Sequence, residues 1–321
     1  LSRRVAAFAA IALTLLFATA PASRAQKKQQ PPKLHPGQIL FYQIDFSISR
    51  DMRTQSRVAA PQLPPTTRLN SSGLLQVEVA EVSANGMRLK TFYSERGQGA
   101  ATPQESGKTT GSHANADIPV EVSIALDGAA SKIKGYEDLS TAQQLAWTDW
   151  LGRFTSIWAF PKGGIHAGQK WQLNEPETTP SPIAGLVWSK KFEYVRDERC
   201  VFTNLSSSVK PGSQKTATNP DVCAVILIRS SLRQKSSPKN ATPEDYRAQN
   251  LKTTGTAAGE NQTILYLSRA TGLLLRSTEE AQQAMDVIVA LTDGSNEVRN
   301  ILSAKSRSEI RLLPDSPQEA H

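Results

Sequence analysis

Apolar and polar residues alternate with a period of two through most of the chain, and one stretch changes to a helical period. From Leu74 to Val82 the residues Leu75, Val77 and Val79 share one parity, Asn85-Gly86 follows, and Met87 to Tyr93 resumes the alternation. This predicts a β-hairpin. Each strand turns one parity toward a covered face, and Asn-Gly supplies the positive φ that a two-residue turn demands. Ile118 to Leu126, Asp127-Gly128 and Ala130 to Ile133 predict a second hairpin, with Ile39 to Ile48 a strand ahead of both. Further strands are expected over Trp188 to Cys200, Cys223 to Leu232, Asn261 to Ser268, Gly272 to Ser277, Met285 to Leu291 and Glu297 to Leu313, with Asp293-Gly294 as another tight turn. Gly97 to Ala116 and Ser236 to Gly259 are polar enough to be loops, the second with a short helix near Pro243 to Gln249.

The period changes between Ser140 and Ala159, where Trp147, Trp150, Leu151, Phe154, Ile157 and Trp158 fall on one side of an α-helix. Ser140 and Gln143 form a capping-box pattern at its start, and Pro161 with Gly163-Gly164 ends it. A face carrying three Trp must leave water. It either packs on the sheet as core or lines a cavity for an apolar ligand, with Trp147, Trp150, Phe154 and Trp158 as the ligand-binding residues. The expected fold class is mainly β (α+β): a large curved antiparallel sheet, an open barrel or two β lobes, with this Trp-rich amphipathic helix packed against it. The lobes would span 34–139 and 161–313, joined by the helix over 140–160, with a linker at 26–33 and a disordered tail at 314–321.

The first residues add a destination. Arg3 and Arg4 precede an apolar run from Val5 to Phe17, and Ala20-Pro21-Ala22-Ser23-Arg24-Ala25 supplies small residues for cleavage, so residues 1–25 are expected to be a signal peptide cut after Ala25. The mature protein would be periplasmic or secreted, with no integral membrane span. Losing Arg3, Arg4 and Arg24 lowers a formal net charge of +8 by three, and the remaining excess is scattered rather than clustered. Nucleic acid is therefore not an expected partner. Export also bears on the two cysteines, Cys200 and Cys223: in an oxidising compartment they are expected to pair as a disulfide around the stretch they enclose.

No catalytic motif stands out. The chain has no HExxH zinc motif, no GxSxG nucleophile elbow, no P-loop and no dinucleotide fingerprint, so neither a metal nor a cofactor is expected. Its four histidines are scattered, with His35 and His166 as the one pair in related contexts. Glu279 and Glu280 read as a solvated face.

Leu34-His35-Pro36-Gly37-Gln38 is echoed by Ile165-His166-Ala167-Gly168-Gln169, each ahead of a strand, which suggests two related β lobes. The segment Pro161 to Trp171, with its Pro, Gly and Trp, and the later hairpin Leu265 to Leu274 resemble a loose group of uncharacterised bacterial exported β-rich proteins. That resemblance implies a β scaffold and no catalytic residues. Three functions remain open: a non-catalytic envelope protein holding an apolar or lipid-like ligand in a β cavity, a hydrolase with a non-standard site near His35 and His166, and an assembly partner using a sheet edge.

Overall fold

The computed structural model describes residues 32–56, 66–95, 119–177, 180–200 and 222–313. The expected signal peptide, most of the linker, the Gly97 to Ala116 loop and the tail lie outside these residues. Eleven strands form one antiparallel sheet: β1 (Ile39–Ser56), β2 (Thr66–Ser83), β3 (Gly86–Glu95), β4 (Pro119–Ala125), β5 (Ala130–Lys134), β6 (Lys170–Pro176), β7 (Leu186–Arg199), β8 (Val222–Gln234), β9 (Leu251–Ser268), β10 (Leu274–Leu291) and β11 (Val298–Leu313). The order is β5-β4-β3-β2-β1-β11-β10-β9-β8-β7-β6, and the sheet is not closed into a barrel. Two meanders, β1 to β5 and β6 to β10, are thus joined through β11, which pairs with both β1 and β10. The two halves anticipated at 34–139 and 161–313 are continuous in hydrogen bonding.

The alternation settles which face is covered. Leu40, Tyr42, Ile44 and Phe46 of β1, Leu75, Val77 and Val79 of β2, and Val120, Val122 and Ile124 of β4 are buried on one side. Helix α1 (Thr141–Ser156), continued by a 3-10 turn over Ile157–Ala159, packs on β1 and β2 from that side. Its capping box is complete: the Ser140 hydroxyl accepts from the Gln143 amide, and the Gln143 side chain accepts from the Ser140 amide. Beyond the helix, Ile157, Phe160 and Ile165 cover Phe192, Tyr194, Ile226, Leu265 and Leu267 of the second meander, and Trp158 packs against both clusters. Ile183, Leu186, Ala241 and Val287 form a smaller cluster near α2 (Glu244–Ala248).

Five expectations need correction. β2 begins at Thr66, eight residues ahead of Leu74, and the turn between β2 and β3 is Ala84-Asn85, with Gly86 already paired to Ser83 as the first residue of β3. Leu251 to Gly259, expected as loop, is the first half of β9, and β10 runs unbroken through Thr278 to Ala284, where a gap was expected. β1 continues eight residues past Ile48, to Ser56. These segments carry too little apolar alternation to announce a strand; they are extended because neighbours on both sides supply hydrogen-bond partners in register, as Gln282 does between Glu260 and Lys305. Gly73 marks another constraint: an added Cβ would meet the Ser94 carbonyl at 2.6 Å and the Tyr93 ring at 2.8 Å.

The sequence echo corresponds to a repeated local structure. Gly37 (φ 81°) and Gly168 (φ 84°) adopt the left-handed conformation. Gly37 donates to the Val79 carbonyl at 2.8 Å and Gly168 to that of Tyr194 at 2.6 Å, while the Val79 and Tyr194 amides return bonds to Gln38 and Gln169 at 2.9 Å each. A register shift follows both sites, between Val79 and Glu81 and between Tyr194 and Arg196.

Cys200 and Cys223 are bonded across a sequence separation of 23. Two losses of stability follow, both measurable by urea denaturation. Ser140→Ala removes the helix cap and is expected to cost about 1 kcal/mol. Replacing both cysteines by serine reopens the loop and is expected to cost about 3 kcal/mol.

Candidate functional site

Helix α1 lays a continuous run of rings over the sheet. Trp147 and Trp150 lie 6.2 Å apart between centroids, Trp150 stacks on Phe154 at 5.0 Å, and Phe154 meets Trp158 at 5.2 Å. Tyr42, rising from β1, contacts Trp150 at 6.0 Å and Phe154 edge-on at 6.4 Å. Trp147, Trp150 and Phe154 are 1 %, 0 % and 0 % exposed, whereas Trp158 is half-buried. The structure therefore gathers the four residues singled out from the sequence into one array and adds Tyr42 to it.

Polar groups within the array are treated unequally. The Trp147 indole donates to the Thr91 hydroxyl at 2.9 Å, and Thr91 in turn donates to the Val120 carbonyl at 3.1 Å. Tyr42 Oη and Trp150 Nε1 are buried without a hydrogen-bond partner among the described residues. An unsatisfied buried donor costs on the order of 1–3 kcal/mol, so two on neighbouring rings require a reason. Burial alone drives the Tyr42 phenol far above the usual tyrosine range, which keeps it protonated.

One helical turn on, a charge cluster crosses the interface. Arg153, 4 % exposed at its side chain, binds Asp149 on its own helix at 2.6 Å and Glu279 on β10 at 3.5 Å. It also donates to the hydroxyls of Ser277 and Ser308, on β10 and β11. Glu279 accepts from Thr263 of β9 at 2.8 Å. Arg153 thereby ties α1 to three central strands. Two carboxylates share this guanidinium, and burial, set against the attraction of Arg153, pushes Asp149 up to about 6. Only Glu280 of the acidic pair fits the solvated face expected from the sequence; Glu279 turns inward. The cluster's one sequence signal was an Arg placed among Trp150, Leu151 and Phe154.

His35 and His166 each precede one of the repeated turns. Their amides donate to Gln38 and Gln169 side chains at 3.2 Å, and His166 Nδ1 lies 3.1 Å from the Ala167 carbonyl. They stand at β1 and β6, six strand positions apart along the sheet. No group of three or more His, Cys, Asp or Glu among the described residues could hold a metal ion. No helix among them is long and apolar enough to cross a membrane.

No family model and no curated protein matches the chain. Solved structures that align with it include the outer membrane protein OprG from Pseudomonas aeruginosa, at 7% identity over 89% of this chain and 99% of that one, with a TM-score of 0.15. A mutant porin of Rh. blastica aligns at 9% identity over 86% and 100%, with a TM-score of 0.18. These TM-scores fall short of a common fold.

The Asp149 cluster makes stability depend on pH in a stated direction. With its folded pKa near 6 and its ordinary value at 3.8, Asp149 takes up a proton more readily in the folded chain. Its contribution therefore favours folding as pH falls from about 6 toward 3.8 and is lost as pH rises through that window. Glu309, held below the usual carboxylate range by its hydrogen bond to Arg311, acts in the opposite direction. The difference between wild type and Asp149→Asn isolates the effect: in urea melts across this range, the wild type should lose stability with rising pH relative to the variant. Arg153→Leu leaves both acids without their shared cation and is expected to cost about 3–5 kcal/mol.

Proposed function

We propose that this is a non-catalytic exported envelope protein that takes a lipid-like ligand between α1 and the covered face of its sheet. The observation that carries this is the pair Tyr42 Oη and Trp150 Nε1, two buried donors with 6.0 Å between their rings and no partner among the described residues. A ligand with an apolar body and an acceptor group, such as a carboxylate or ester, satisfies both donors while its chain lies along Trp150, Phe154 and Trp158. One helix with its 3-10 extension covers much of the face, so displacing a single element admits such a molecule. The disulfide between Cys200 and Cys223 agrees with an oxidising compartment.

Native mass spectrometry of protein purified from its host, followed by solvent extraction, tests the proposal. The expected result is a bound mass that extracts as a lipid and, after delipidation, quenching of tryptophan fluorescence on adding a long-chain fatty acid or phospholipid. Tyr42→Phe should keep the stability of the delipidated chain, since it removes an unsatisfied hydroxyl, yet weaken the ligand about five- to tenfold. A ligand-free spectrum without fluorescence response rejects the proposal; so does a Tyr42→Phe variant with undiminished affinity.

A further inference from the structure

The opposite face of the sheet carries a second site of different chemistry. Hydrogen-bond register places Lys191, Arg229, Gln262, Glu280 and Arg307 in one row across β7, β8, β9, β10 and β11. The adjoining row is Ser189, Ser231, Glu260, Gln282 and Lys305. Both rows have the parity opposite to Phe192, Ile228 and Ser308, which face the core. Together they line a cavity of about 700 Å³.

The charges are arranged rather than merely mixed. Lys191 and Arg229 form one wall and Lys305 and Arg307 the other, while Glu260, Gln262, Glu280 and Gln282 make the floor between them. The span from β7 to β11 is four strand spacings, about 19 Å measured along the sheet. Among the described residues Lys191 and Lys305 have no ion-pair partner, and Arg229 and Arg307 have only long ones, at 3.7 Å to Glu193 and 3.8 Å to Glu280. The walls therefore keep cationic donors available, and the floor offers amide donors and carboxylate acceptors.

From this arrangement we infer that the trough binds a linear oligosaccharide carrying carboxylates. Lysine and arginine on the walls pair with spaced acid groups. Glu260 and Glu280 accept from sugar hydroxyls, and Gln262 and Gln282 both donate and accept. Closely spaced phosphates fit worse, because the floor carboxylates repel them. A nucleic acid also lacks its stacking platform, since no aromatic residue among the described ones lines the cavity. The described lining holds no large apolar residue, which likewise disfavours a membrane surface. This site does not depend on the lipid proposal, because it lies on the other face.

Calorimetric titration of the intact protein with oligogalacturonate, a neutral malto-oligosaccharide and inorganic polyphosphate tests the inference. Oligogalacturonate should bind, more weakly as salt rises, and the neutral sugar should not. Lys191→Glu with Lys305→Glu should weaken oligogalacturonate by at least about tenfold, with an unchanged melting temperature because both side chains are exposed. Glu260→Gln should weaken oligogalacturonate severalfold but tighten polyphosphate. The inference is overturned if oligogalacturonate fails to bind, if the double reversal leaves its affinity unchanged, or if polyphosphate binds more tightly than the sugar. Tighter binding of both anions by Glu260→Gln would also overturn it, showing that charge alone is being read. Light scattering adds a final arm: a dimer abolished by the double reversal would assign the trough to a second copy of the chain.

Discussion

Everything in this molecule depends on burying one face of an open sheet beneath a short covering element. An antiparallel sheet can leave one face to water, but the other must be dry for the fold to hold. Here α1 and its 3-10 extension do much of that covering, and they do it with rings. Each large apolar side chain removed from water contributes about 1.5–3 kcal/mol, so Trp147, Trp150 and Phe154 form a major anchor. Arg153 then fixes where that anchor sits, because it is held by side chains from β10 and β11 as well as by Asp149.

That same dependence makes the interface a candidate for binding. A layer optimised for stability alone would leave no donors unsatisfied, yet Tyr42 Oη and Trp150 Nε1 are unpartnered beside a Trp147 that is fully engaged. A buried cation shared by two acids is likewise a weak way to gain stability, although breaking it is costly. The polar face has no such tension. Its charged side chains are exposed, so their arrangement places little demand on folding.

Strands were legible from the sequence wherever one face is buried, because burial imposes the alternation seen at Leu75, Val77 and Val79. They were not legible where both faces are polar. Thr278 to Ala284 is a strand because β9 and β11 flank it, and Leu251 to Gly259 becomes one through its pairing with β10. The four ring residues of the helical segment could be foreseen as an array because they lie within about three turns of one another. Tyr42, Arg153 with Glu279, and the charged rows could not, since their neighbours are separated by scores or hundreds of residues and meet only through strand register.

By itself the sequence determined the local events: the capped Trp helix, the presence of hairpins at Asn85-Gly86 and Asp127-Gly128, the paired cysteines and the repeated Gly-Gln turn, each governed by contacts within a few residues or by the pairing options of two thiols. Tertiary structure decided that β11 joins the two meanders into one sheet, that Glu279 points inward while Glu280 points out, and that five strands align Lys191 with Arg307. Such choices depend on which strand lies beside which, and hydrogen-bond register across a sheet is a long-range property that no short stretch of the chain encodes.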